Sequence, residues 1–194
     1  SSSHDVCQAN NRQLANRIYA AVREAYDAGD EVKTYELLQQ ALAHDPDHIE
    51  SLIDISLLQA QRGDVDSAIV NAQRAVAVQP DYEDAKNALA EVLAAKAISL
   101  SKARRLKEAL DYMKKAIMAN PIHEHVQNLI SAARRVSLEA GLHDEFAECC
   151  SGLLTLRPDL NHVRYRLGNA LLRANRNKEA LAVLIDHWKC DPSN

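Results

Sequence analysis

The segment SAIVNAQRAVAVQPDYEDA, Ser67 to Ala85, shows a pattern of small, apolar and polar residues that recurs along the chain. Ala68, Ala72 and Ala75 follow one another at spacings of four and three, which places them on one face of a helix. Methyl side chains there let a second helix approach near the short end of the usual interaxial range of about 8–10 Å. Pro80 cannot continue the helix, so the pattern predicts a closely packed helix that ends just before it.

The five prolines of the chain mark the same point of an internal repeat. They stand 34, 41, 37 and 34 residues apart. Apolar or small residues precede the prolines by five and eight positions, with His187 as the exception, and in four of the five cases a glycine or asparagine, suited to a left-handed turn, precedes the proline by seventeen. The turn positions are Gly29, Gly63, Arg104, Gly141 and Asn175. The mostly small residues twelve positions before each proline are Thr34, Ala68, Ala109, Phe146 and Ala180.

This period resembles the tetratricopeptide repeat, a helix-turn-helix unit of 34 residues with small residues at the helix crossing and a proline near its end. The segments RYRLGNALLRANRNKEALAVL, Arg164 to Leu184, and RRLKEALDYMKKAIMANP, Arg104 to Pro121, carry the resemblance. It extends from about Ala15 to the C-terminus. Phe146 and His187 replace the family's small residues, which predicts a wider helix crossing in the fourth repeat.

The resemblance implies an all-α fold, a right-handed α-solenoid of five such repeats with an extended concave face. We expect a partly helical N-terminal extension over 1–14 and one continuous solenoid over 15–194. The repeats are expected at about 15–48, 49–82, 83–123, 124–160 and 161–194. Their helix pairs are expected at 8–28 with 31–44, 48–61 with 65–78, 82–103 with 106–119, 123–140 with 143–156, and 161–174 with 177–190.

The first helix of the third repeat carries seven extra residues within NALAEVLAAKAISLSKARR. Seven residues add about two turns and 10 Å, and the apolar stripe drifts by only about 20°. The elongated helix either lengthens the core or projects as a ridge that borders a groove or contacts a partner.

Composition narrows the possible functions. Aromatic residues make up 4% of the chain, glycines number 5 and the net charge is -4, which favours helices and argues against nucleic-acid binding. No apolar run approaches the roughly 20 residues that span a bilayer, and the N-terminus lacks the order of a signal peptide. We therefore predict a cytoplasmic protein that binds neither nucleic acid nor a membrane.

The four cysteines are Cys7, Cys149, Cys150 and Cys190. No CxxC motif occurs, and a chain of this kind does not resemble a small disulfide-rich secreted domain. We expect reduced thiols, with a disulfide between the adjacent Cys149 and Cys150 as the alternative.

Motifs for catalysis or metal binding are weak. The scattered glycines form no phosphate-binding loop, and HEH at 123–125 lacks the spacing of HExxH. His44 with His48, and His187 with Cys190, offer too few ligands for a metal centre. We predict no cofactor, no metal, no catalytic residues and no enzymatic activity.

Candidate binding residues lie on the first helices, which line the concave face in the family. Arginine can hold a carboxylate through two hydrogen bonds, and tyrosine can pack an apolar side chain. Neither the carboxylate clamp of chaperone adaptors nor the asparagine ladder of glycosyltransferase-linked members is present, since Asp54, Ala88 and Arg166 occupy matching positions. The candidates are Tyr19, Arg23, Asp54, Arg135, His162, Tyr165, Arg166, Asn169 and Arg173, joined by Asp27, Ile53, Leu57 and Ser131.

We predict a protein-interaction module that binds a peptide segment of a partner protein in its groove, and Arg166, Arg173 and His162 favour an acidic segment. One alternative is the N-terminal regulatory or substrate-recruiting part of a larger enzyme such as a transferase, with more chain after Asn194. The other is a scaffold that self-associates through an apolar C-terminal edge formed by Leu181, Ile185 and Trp188.

Overall fold

The structure, a computed structural model, describes residues 3–122 and 124–190 of the chain. Those residues form ten α-helices and no strand, which confirms the predicted all-α fold class. The helices are α1 (Ser3–Asp27), α2 (Glu31–His44), α3 (Ile49–Gln61), α4 (Val65–Val78), α5 (Glu83–Lys102), α6 (Leu106–Ala119), α7 (Val126–Ala140), α8 (His143–Leu156), α9 (Asn161–Arg173) and α10 (Asn177–Cys190).

The chain divides into two units, one that ends at Val92 and one that begins at Leu93. In the first unit α1 packs against α2, and α3 packs against α2 and α4. In the second unit α6, α7 and α8 pack against one another, α9 packs against α8, and α10 packs against α9. Four of the five expected helix pairs therefore form, namely α1 with α2, α3 with α4, α7 with α8 and α9 with α10. The pair of α5 with α6, the single continuous solenoid and its repeat boundaries stay predictions.

Small side chains lie at the helix contacts, as the opening pattern predicted. Ala68, Ala72 and Ala75 of α4 are 0% exposed. The other residues twelve positions before a proline, Phe146 included, are also buried. Methyl-sized side chains thus occupy the contact face of α4, and the larger Phe146 is accommodated inside the core of the second unit.

The turn within each pair requires a left-handed backbone at the predicted place. The φ values are +73° at Gly29, +87° at Gly63, +61° at Arg104, +68° at Gly141 and +61° at Asn175. Glycine adopts this conformation without steric cost, asparagine tolerates it, and arginine does so only at a cost. The same position of each of the five predicted repeats therefore has the same left-handed backbone conformation, whichever residue occupies it.

The elongated helix of the third repeat is confirmed. Helix α5 has 20 residues, whereas α3 and α9 have 13 each, so the difference is the seven residues predicted. Ile98, near the C-terminal end of α5, is 54% exposed.

Two predicted helix boundaries are wrong. Helix α1 begins at Ser3, so the N-terminal extension is helical from there on, five residues before the predicted start at 8. Helix α7 begins at Val126 and not at 123, because a turn follows Pro121, in which the Ile122 amide donates to Asn120 Oδ1 at 3.1 Å. Residue 123 itself lies outside the described residues.

No helix among the described residues is both long enough and apolar enough to cross a membrane.

Candidate functional site

The second unit contains an open groove with a volume of about 920 Å³, formed by side chains of α7, α8, α9 and α10. We call it the arginine groove. It is lined by Ser131, Arg134, Ser137, Leu138, His143, Phe146, His162, Tyr165, Arg166, Asn169, Ala170, Arg173, Leu184 and His187. Five of the predicted binding residues, His162, Tyr165, Arg166, Asn169 and Arg173, lie here together, and Ser131 lines the groove beside them.

Helix α9 brings the five residues together because their spacings of three, four and seven fall on one helical face. The opposite face of α9 is buried in the core through Val163, Leu167 and Leu171. The side-chain pattern of this one helix therefore both anchors it in the unit and presents polar groups to the groove.

Two side-chain contacts fix the register between α7 and α9. His162 Nε2 lies 2.8 Å from Gln127 Oε1, and Arg166 Nη1 donates to Ser131 Oγ at 3.1 Å. Both contacts join residues 35 positions apart. Carried along the two helices, this offset brings Arg134 opposite Asn169.

The charges that line the groove are all of one sign. Three arginines and three histidines line it, and no carboxylate does. None of Arg134, Arg166 and Arg173 forms an ion pair within the part of the chain that the structure describes. A chain of net charge -4 thus concentrates unpaired positive charge in one groove, and such a surface attracts anions.

The state of His162 follows from its surroundings. Burial lowers the pKa of its imidazole, and the positive charge of Arg166 lowers that pKa further. The ring therefore favours the neutral form, in which one nitrogen can donate and the other can accept a hydrogen bond.

Apolar and aromatic side chains also line the groove. Phe146 and Ala170 are buried, whereas Tyr165 is 54% exposed. The Tyr165 ring lies 5.6 Å from the ring of His187, whose Nδ1 is 3.0 Å from Asn161 Oδ1. Asn169 Nδ2 donates to the Tyr165 carbonyl at 3.0 Å.

Among the binding residues predicted in the second unit, Arg135 is the one that does not line the groove. Arg135 is exposed on α7 but its neighbour Arg134 takes the lining position. Residues 131, 134 and 138 share one face of α7, while Ala133 and Val136 turn toward the core. The order of buried and exposed positions in α7 therefore places Arg134 on the face of Ser131. The prediction instead chose Arg135, four positions after Ser131.

The first unit has a smaller depression, of about 420 Å³, that includes the predicted residues Tyr19, Arg23 and Asp54 together with Asp27 and Leu57. The Tyr19 hydroxyl donates to Asp54 Oδ2 at 2.7 Å. Burial raises the pKa of Asp54, and burial together with the Asp54 contact raises the pKa of Tyr19. These two groups therefore satisfy each other, and the depression carries mixed charge. Ile53 is buried in the core of this unit.

The predicted C-terminal edge is exposed. Leu181, Ile185 and Trp188 of α10 are 61%, 43% and 59% exposed. Burial of large apolar side chains is favourable, so these three residues could contribute to a contact with another surface.

The cysteines are free thiols, and the adjacent Cys149 and Cys150 are buried without a disulfide between them. Burial raises the pKa of Cys149 to about 12 and also raises that of Cys150. Both side chains therefore pack as small apolar groups in the core of the second unit. Throughout the described ranges no group of three or more metal-ligating side chains converges.

The family model of the tetratricopeptide repeat matches residues 25–92, and no curated protein matches the chain. Among solved structures, the chain is similar to Naa15/Naa10 bound to HypK-THB, with a TM-score of 0.51 and 13% identity over 93% of this chain and 26% of that one.

Two further solved structures are similar over nearly their whole length. MamA (41-end) from Desulfovibrio magneticus RS-1 has a TM-score of 0.48 and 16% identity over 93% of this chain and 96% of that one. YrrB, a TPR protein with an unusual peptide-binding site, has a TM-score of 0.48 and 15% identity over 100% of this chain and 94% of that one. The match of the family model, together with the helices found there, supports the resemblance to the tetratricopeptide repeat over residues 25–92.

Proposed function

We propose that the protein is an interaction module whose arginine groove binds an acidic peptide segment of a partner protein. The observation that supports this proposal is the set of three arginines, Arg134, Arg166 and Arg173, which line the groove without a carboxylate among them. A carboxylate that forms hydrogen bonds with a guanidinium is among the stronger polar contacts available to a protein.

The groove is suited to binding with little rearrangement. Arg166 is half-buried and held by Ser131, so part of the entropic cost of ordering its long side chain is met before a ligand arrives. Tyr165 offers an exposed ring for an apolar side chain of the same segment. The groove residues have roles in binding and not in catalysis.

A charge-reversal experiment tests the proposal. The probes are a fluorescein-labelled hexaglutamate peptide and a matched hexaglutamine peptide, titrated with the protein in fluorescence anisotropy. We expect hexaglutamate to bind and hexaglutamine not to bind. Arg166→Glu should weaken hexaglutamate binding by about tenfold or more, because one charge-assisted contact is lost and repulsion replaces it.

Arg135→Glu is the matched control, since it makes the same charge change on α7 outside the set of residues that line the groove. Its effect should be clearly smaller. Equal losses in the two variants would indicate a diffuse electrostatic attraction and contradict a site in the groove.

A second candidate function is a self-associating scaffold, which the exposure of Leu181, Ile185 and Trp188 favours. Sedimentation velocity across a range of concentrations tests it. A mass that increases with concentration in the wild type, but not in Trp188→Ser, would support self-association through α10. The remaining alternative, the recruiting part of a larger enzyme, is compatible with a peptide-binding groove and would be supported by a catalytic domain after Asn194.

A further inference from the structure

The two arginines of α9 lie at a fixed separation along the groove. Arg166 and Arg173 are seven residues apart on one helix, which is about two turns, so they share a face and their Cα atoms are about 10.5 Å apart. Both line the groove, and neither forms an ion pair within the described ranges. The groove thus offers two carboxylate-binding groups whose separation is set by a rigid helix.

The amide side chain of Asn169, which lies between the two arginines on α9, is suited to form hydrogen bonds with a peptide backbone. Asn169 is half-buried on the same face, and its Nδ2 donates to the Tyr165 carbonyl, which leaves its Oδ1 to accept a hydrogen bond. An extended segment has free N–H and C=O groups that an amide can contact. A helical ligand has already used these groups internally, so the middle of the groove favours an extended ligand.

An extended segment in the polyproline II conformation has three residues per turn and a rise of about 3.1 Å per residue. Side chains at positions i and i+3 therefore point to the same side, about 9.3 Å apart, close to the separation of the two arginines. Side chains at positions i and i+2, or at i and i+4, point to different sides of the segment. Their separations along it are about 3 Å shorter or longer than the separation of i and i+3.

Resting on the proposed function, we infer that the arginine groove selects an extended segment with acidic residues at positions i and i+3. Arg166 binds one of the two carboxylates and Arg173 binds the other. Asn169 contacts the backbone between them, and Arg134 faces this same level from α7. The groove is thus specific for the spacing of two negative charges and not only for their number.

A set of proline-rich peptides measures this spacing directly. Each fluorescein-labelled peptide has the same length and net charge, with two glutamates separated by two, three or four positions in a polyproline host. We expect the peptide with spacing three to bind about tenfold more tightly than the others, because only it brings a carboxylate to each arginine. An alanine-based helical peptide with glutamates seven positions apart is the competing probe.

Variants locate the preference on α9. In Arg173→Gln the peptide with spacing three should bind no more tightly than the other two. Arg135→Gln, which removes an arginine outside the groove lining, should retain the full preference.

The outcomes separate this inference from the proposed function. Equal affinities for all three spacings, with hexaglutamate still sensitive to Arg166→Glu, would overturn the spacing rule and leave acidic-peptide binding in place. Tighter binding of the helical peptide would also overturn it. Failure of every acidic peptide, hexaglutamate included, would overturn both.

Discussion

At Gly168 the backbone of α9 approaches a side chain of α10 closely. A Cβ atom added at this position would lie 2.5 Å from both Cγ and Cδ2 of Leu184. Glycine inside a helix costs about 1 kcal/mol relative to alanine, so the sequence accepts a loss of helix propensity here. Leu184 is also one of the residues that line the arginine groove.

Gly168→Ala should therefore lower the free energy of unfolding even though alanine favours a helix. Overpacking costs about 1–3 kcal/mol, and at contacts as short as 2.5 Å we expect the cost to exceed the gain in propensity of about 1 kcal/mol. Chemical denaturation of the variant and the wild type measures the difference. Gly168→Ala combined with Leu184→Ala should lose less than the sum of the two single losses, because the clash is removed.

Gly152 of α8 provides the control for this substitution. Its added Cβ would lie 3.3 Å from the sulfur of Met118, a flexible side chain that can move. Gly152→Ala should leave stability unchanged or raise it by up to about 1 kcal/mol. If the two alanine variants were equally stable, the close approach at Gly168 would not be a constraint.

Individual site residues were predictable to different degrees, for reasons that lie in helix geometry. His162, Tyr165, Arg166, Asn169 and Arg173 share one face of a helix with a strong apolar stripe on the other side, so the pattern placed them together. The choice between Arg134 and Arg135 depended on a rotation of about 100° about the α7 axis. Two adjacent arginines do not specify that rotation by their identity.

The second helices of the repeats begin with side-chain caps of unequal quality. Asp30 caps α2 and Asp64 caps α4 through hydrogen bonds from the backbone amides of Lys33 and Ser67. Arg105, at the same place before α6, forms no side-chain cap and instead pairs with Glu108. A cap satisfies one of the amides that a helix start leaves without a partner.

Asp64→Ala should lower the free energy of unfolding of the protein by about 1 kcal/mol, since the amide of Ser67 loses its 3.3 Å contact with Asp64 Oδ1. Asp64→Asn keeps an acceptor oxygen and should lose less, limited to the interaction of the charge with the helix dipole. Chemical denaturation of the three proteins at one pH measures both values. Equal losses in the alanine and asparagine variants would assign the effect to charge and contradict a hydrogen-bonded cap.

Helix boundaries could be predicted where an apolar stripe and a cap coincide, and not elsewhere. Helix α4 has both, and its predicted and observed ranges agree at 65–78. The first turns of α1 carry mainly polar residues, and all positions from Val6 to Leu14 are exposed, so no apolar period marks the start of this helix. The late start of α7 reflects a longer connection after Pro121, which periodicity does not locate.

Charge is distributed unevenly over the protein, and the groove chemistry follows from this distribution. The net charge of -4 indicates nothing of the local concentration of arginine in the second unit. Sequence periodicity identified the basic end of the predicted groove, because α9 alone supplies Arg166 and Arg173. The partners of these residues on other helices, such as Ser131 of α7 beside Arg166, became evident only from the side-chain hydrogen bonds between α7 and α9.

The same charges predict how acidic-peptide binding depends on pH. Burial and Arg166 lower the pKa of His162 in the free protein. A bound carboxylate neutralises the field of Arg166 and favours the imidazolium, so it raises this pKa and binding takes up a proton. Affinity for hexaglutamate should therefore increase as pH falls from about 7.5 to 5.5, where glutamate stays largely ionised, by up to about tenfold for each unit of change in the His162 pKa.

Stability of the free protein should change in the opposite direction over this range. A histidine whose pKa is lower in the folded state than in the unfolded state binds protons preferentially when unfolded. Its contribution to stability is therefore present above about pH 6.5 and is lost as pH falls below that value through the lowered pKa of the folded state. His162→Gln keeps a side chain that can hydrogen-bond to Gln127 but does not titrate. Anisotropy titrations and denaturation of this variant should show a weaker pH dependence of both quantities. A pH dependence of affinity as steep as that of the wild type would assign the proton to another group and exclude His162 from contact with the ligand charge.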